Sequence, residues 1–186
     1  MAAATGAQAQ ALIPMQRERT AFHEAGHVVI IYRFGIEVEF VTILPDHDSV
    51  GHATTSRIDL FCGSLGFCAK LERAIKINLA GPMAEALFYP RYRRRLGSFD
   101  YVRAFELARY LAGGRAKEII RHQERETQKL LKFYWKDVEH IARALLEHNE
   151  LTGIAVKDIL GPRQETEEEK EMDRIEAMAP EEPDPL

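Results

Sequence analysis

Apolar positions recur at helical spacing from Met15 to Phe34, with Ala21, Ala25, Val28 and Tyr32 on one face. Pro14 suits a first-turn position and Gly35 the left-handed residue beyond a helix end, so the pattern predicts a helix between them. The period then changes. Glu37 to Leu44 alternates in part and is rich in β-branched residues, Pro45 to Val50 supplies a turn, and Gly51 to Ser56 resumes an extended pattern. These segments predict a small sheet of two or more short strands. Helical spacing returns from Phe67 to Tyr89 through Cys68, Leu71, Ile75, Leu79, Met83 and Leu87. Gly81-Pro82 should divide that stretch into two segments, because proline lacks a backbone donor. Ser98 is an N-cap for a helix running to Leu111 and closed by Gly113-Gly114, which puts Asp100 in its first turn. A long helix from about Arg115 to His148 carries the stripe Leu131, Tyr134, Val138, Ile141, Leu145, either core or a partner-facing surface. A short helix near Val156 to Leu160 follows Gly153. This order of elements predicts a mainly helical α+β fold.

The 186 residues favour one compact domain with tails, at roughly 150 residues per domain. The expected organisation is a disordered arm over 1–14, a domain over 15–160 and an acidic tail over 161–186. Gly161 to Leu186 holds ten acidic residues against Arg163, Lys170 and Arg174, a balance of −7 that leaves residues 1–160 at +3 within the overall −4. Such a nearly balanced body gives no electrostatic case for a nucleic-acid binder. The N-terminus lacks the basic start and apolar run of a secretory signal, and the purest apolar run, Val28 to Tyr32, is far short of the about 20 residues of a bilayer span. Cys62 and Cys68 cannot make a disulfide scaffold or a cysteine-rich zinc site and read as small core residues. A soluble protein of the reducing cytoplasm is the expectation.

His23-Glu24-Ala25-Gly26-His27 is an H-E-x-x-H pentapeptide inside the first helix. Residues four apart share a helical face about 6 Å apart along the axis, so both imidazoles can reach one metal ion while Glu24 neighbours it without ligating. A hydrolytic zinc site needs three protein ligands and an open position for water. The zinc-bound water is the nucleophile and Glu24 its general base. Gly26 lets another backbone approach. The metzincin pattern is absent, since Ile30 and Arg33 stand where it continues with glycine and histidine. The third ligand is therefore distant, with Glu72, Glu85, Asp100 and Glu106 as candidates. Asp100 has the advantage that a helix's first turn favours a carboxylate.

Thr20 to Val29 resembles the start of the peptidase domain of the FtsH family of ATP-dependent zinc proteases. The resemblance continues in order through Val41 to Pro45 with Gly51 to Thr54, Leu79 to Glu85, Ser98 to Asp100 with Ala104 to Arg109, and Glu147 to Leu160. It implies His23, His27 and Asp100 as zinc ligands, Glu24 as catalytic base and Glu85 in a supporting role near the site. Pro82 replaces a family arginine, and no ATPase or transmembrane part accompanies the domain in this chain. The expected activity is ATP-independent hydrolysis of unfolded or flexible polypeptide by a freestanding zinc metalloendopeptidase. Other expectations are a regulatory peptidase with one dedicated substrate, or a zinc-stabilised interaction module without catalysis, which intact Glu24 argues against. The relatives suggest a homo-oligomer or a separate ATPase partner.

Arg91, Tyr92, Arg93, Arg94 and Arg95 form a basic turn that reads as solvated surface. Among the remaining histidines, only His52, in the strand region, is placed to approach a cleft. The strands either offer an edge along which an extended peptide pairs, the reading slightly preferred, or form buried scaffold.

Overall fold

A computed structural model describes residues 4–44, 52–55, 66–90 and 98–162, with backbone alone for 4–14 and 52–55. Along the chain run α1 (Ala4–Arg33), β1 (Val38–Thr42), β2 (His52–Thr55), α2 (Phe67–Phe88), α3 (Phe99–Ala112), α4 (Ala116–Phe133), α5 (Trp135–His148), β3 (Glu150–Thr152) and α6 (Gly153–Leu160). A single 3-10 turn, Gly113–Arg115, precedes α4. The fold is mainly helical α+β, as the pattern of apolar positions predicts.

The central element is α1, which packs against α2 and α5. Its residues Ala21, Ala25, Val28, Val29 and Ile30 are fully buried. It begins at Ala4, so the arm expected over 1–14 is helical from there and Pro14 lies inside the helix. Alanine and glutamine are strong helix formers, and propensity decides where no apolar periodicity exists. At the other end Gly35 takes the expected left-handed conformation, with φ 75°.

The sheet has the order β2-β1-β3, antiparallel throughout. Val41 pairs with Leu151 on one side and Ala53 on the other. The third strand escapes sequence patterning because three residues show no period. What creates it is Asn149, whose left-handed φ of 67° ends α5 and whose carbonyl accepts from the Ile43 amide at 2.9 Å. That reversal lays Glu150–Thr152 along β1.

Contrary to expectation, α2 runs unbroken through Gly81-Pro82. An interior proline costs about 3 kcal/mol. Nine buried residues of α2, among them Leu71, Ile75, Leu79 and Met83, offset that cost, at about 1.5–3 kcal/mol for each large side chain. Cys68 is exposed rather than core, because it lies in the first turn of α2, before the buried face begins at Leu71. Cys62 lies outside the described residues, as do the basic turn at 91–95 and the tail from 163 onward.

The expected long helix is two. α4 and α5 meet at Tyr134, where φ −95° and ψ 21° turn the chain: Tyr134 N closes α4 on Leu130 O, and the Tyr134 carbonyl accepts from Val138 N to open α5. The stripe proves to be core: Leu131, Val138, Ile141 and Leu145 are all fully buried. The same face continues back along α4 through Gln123 and Thr127, buried polar residues that hide the periodicity from a reading of apolar positions.

Candidate metal centre

His23 and His27 lie on the face of α1 that meets α2, and the two helices touch there through their smallest residues. A Cβ on Gly26 would lie 2.6 Å from Ala84 Cβ and 2.7 Å from the Ala80 carbonyl oxygen. Only glycine allows this approach, as the sequence suggests for Gly26. One turn along, a Cβ on Gly81 would overlap Nε2 of His27 and come within 2.8 Å of Cδ2 of His23. Gly81 therefore keeps open the space beside the two imidazoles.

Each ring is held from behind. His27 Nδ1 donates to the Ile77 carbonyl at 2.8 Å, so Nδ1 carries the proton and Nε2 the free lone pair. His23 Nδ1 faces Glu85 Oε2 at 3.5 Å, and Arg19 binds Oε1 of that carboxylate, with its Nε at 2.8 Å. The two Nε2 atoms lie 3.1 Å apart. Into the same spot α3 delivers Asp100, whose helix starts at Ser98, where Oγ accepts from Tyr101 N at 3.3 Å. Asp100 Oδ2 is 3.1 Å from His23 Nε2, and Oδ1 is 3.8 Å from His27 Nε2.

Three donors from α1 and α3 thus converge, with ligand atoms all within 4.8 Å of one another. A tetrahedral zinc with arms of about 2.0–2.1 Å sets its donors about 3.3 Å apart. The observed separations bracket that value, and Gly81 leaves room beside the nitrogens. The donor set, two imidazoles and a carboxylate, fits zinc. Among the described residues, this is the group that could hold a metal ion.

The cluster shapes its own charges. Burial by itself would lower the His23 pKa, but the Asp100 and Glu85 carboxylates and the Glu24 charge outweigh it and raise it to about 9. His27 moves the other way, to about 4, because burial and the His23 charge both oppose a second proton. Glu24 is 5% exposed, and burial lifts its pKa to about 7. Burial also acts to raise Asp100 and Glu85, yet both fall below their ordinary values, held there by His23 and, for Asp100, also by His27, for Glu85 also by Arg19.

Of the four carboxylates open to sequence reasoning, Asp100 is the one that joins the histidines. Glu85 comes to the far side of the His23 ring, and Glu72 and Glu106 are not in the cluster. His52 falls on β2, where side chains are outside the described set. Three participants went unread. The Ile77 carbonyl has no side-chain signal, Gly81 beside Pro82 reads as a helix breaker, and Arg19 is marked only by its place one turn before His23.

No family model matches the chain. It is similar to the ATP-dependent zinc metalloprotease FTSH 11, chloroplastic/mitochondrial, of Arabidopsis thaliana, at 25% identity over 191 residues, taking in 86% of this chain and 23% of that protein. The likeness is to an FtsH protease. The chain spans less than a quarter of that relative's length. No helix among the described residues is long and apolar enough to cross a membrane.

Proposed function

We propose that the chain is an FtsH-like zinc peptidase domain that hydrolyses peptide bonds in unfolded or flexible polypeptide. The observation that carries this reading is the convergence of His23 and His27 from α1 with Asp100 from α3. These three would hold zinc through the imidazole Nε2 atoms and the carboxylate. Bound zinc supplies Lewis acidity, which polarises a carbonyl and makes water a nucleophile near neutral pH.

The remaining chemistry belongs to the chain. Glu24, buried beside His23 in α1, takes the proton of the attacking water and returns it to the leaving nitrogen. Its adjacency to a ligand on a rigid helix fixes where that transfer happens. Glu85 supports His23 from behind, and the Ile77 carbonyl does the same for His27. Nothing in this reaction consumes ATP. The likeness to a zinc metalloprotease supports polypeptide as the substrate class.

The test is cleavage of a fluorescently labelled unfolded protein with zinc and without ATP, comparing wild type with Glu24→Gln. Loss of a general base should slow cleavage about 10²–10⁴-fold while zinc stays bound. Equal rates in the two proteins would defeat the assignment of Glu24.

A further inference from the structure

The two histidines of the cluster are held by partners of different kinds. His27 Nδ1 meets a main-chain carbonyl at 2.8 Å, and that oxygen is fixed by the helix it belongs to. His23 Nδ1 meets a side-chain carboxylate at 3.5 Å, longer than the about 2.7–3.2 Å of an ordinary hydrogen bond. A glutamate has three rotatable bonds, so a partner of this kind orients a ring only if something else orients the glutamate. Arg19 meets that need. It stands four residues before His23 on α1, so it shares the histidine's helical face. Its Nε and a terminal guanidinium nitrogen both reach Glu85 Oε1, leaving Oε2 turned to the imidazole. Both side chains are largely buried, at 16% and 20% exposure, where an ion pair is less screened than at the surface.

We propose that Arg19 is a positioning residue of the metal centre: by gripping Oε1 of Glu85 it presents Oε2 to Nδ1 of His23 and holds the ring with Nε2 toward His27 and Asp100. This rests on the reading of His23 as a ligand. Arg19 is not one of the metal-binding donors, and its proposed effect on the site runs through Glu85. Partners of this kind behind a ligating histidine typically account for 10- to 100-fold in metal affinity.

The experiment uses the full chain with Arg19→Ala, Arg19→Lys, Glu85→Gln and the double variant Arg19→Ala/Glu85→Gln. Zinc affinity is read by competition with a chromophoric chelator, and ligand geometry by the visible absorption of the cobalt-substituted protein. Thermal melting of the metal-free forms reports the fold. Arg19→Ala should weaken zinc about 10-fold and alter the cobalt band as Glu85→Gln does. Arg19→Lys should recover part of the affinity, and Arg19→Ala should add no further loss in the Glu85→Gln background. Wild-type affinity and an unchanged band in Arg19→Ala would overturn the proposal, as would a full additional loss in the double variant. Should Arg19→Ala not fold, Arg19→Lys decides: an affinity between those of wild type and Glu85→Gln supports the grip, and one equal to wild type overturns it. A wild-type chain that binds no zinc would instead remove the ligand reading and this inference with it.

Discussion

The seam between α1 and α2 at the cluster is built from Gly26, Ala80, Gly81 and Ala84, whereas the buried face of α5, on which α1 also packs, is Val138, Ile141, Ala142 and Leu145. Helices joined through large aliphatic side chains stand about 8–10 Å apart. Helices joined through glycine and alanine come closer, and only such an approach brings the Ile77 carbonyl to 2.8 Å from an imidazole on the neighbouring helix. Each valine, isoleucine or leucine on α5 buries more apolar surface than a glycine or alanine, so that face contributes stability. The small-residue seam sets positions, and it has little tolerance for added atoms.

This contrast can be broken from either side. Leu145→Ala, at a fully buried site, should cost about 2–5 kcal/mol in denaturant unfolding, while zinc affinity of the folded protein stays at the wild-type value. Gly81→Ala should do the reverse. The added methyl gains about 1 kcal/mol of helix propensity but overlaps His27 and crowds His23, an overpacking cost of about 1–3 kcal/mol, so the fold loses no more than about 2 kcal/mol while chelator competition should show zinc affinity falling about 100-fold or more. Stability lost in Gly81→Ala with zinc affinity intact would mean that the seam does not set the site.

Protons sharpen the same comparison. In the metal-free protein His23 holds its proton up to about pH 9, above its ordinary 6.5, and a ligand must give that proton up. Zinc uptake near pH 7.5 should therefore release about one proton, read by calorimetry in buffers of different ionisation enthalpy. Affinity should rise about tenfold per pH unit until about pH 9. The sign is opposite for the metal-free fold: the His23 contribution is complete below pH 6.5 and is lost as pH rises through about 9. The smallest effect belongs to neither seam. Phe133 is 80% exposed, and Phe133→Ser should change stability by no more than about 0.5 kcal/mol and leave zinc affinity alone.

Much of this was legible in the chain itself. Helically spaced apolar residues predict the site-bearing part of α1, and a serine cap fixes the start of α3, so the histidine pair and the first-turn aspartate are readable from the sequence. That Asp100 rather than another carboxylate meets the histidines depends on how α2 and α3 pack, which spacing along one helix cannot show. The resemblance to a family pointed to it where physical reasoning left four candidates. Pro82 misled for a related reason. A local rule predicts a break, but nine buried residues, seven before Pro82 and two after it, hold α2 together. The Ile77 carbonyl is invisible in sequence because every residue has one. β3 and the turn at Tyr134 are set by single backbone conformations rather than by any pattern of side chains.

The most direct test of the central claim, that donors from two helices make one metal centre, is zinc bound per chain after equilibrium dialysis, in wild type and Asp100→Ala. Wild type should hold one zinc, and Asp100→Ala should bind at least about tenfold more weakly while melting as a folded protein. Equal zinc content and equal affinity in the two would place the third donor elsewhere and contradict the account.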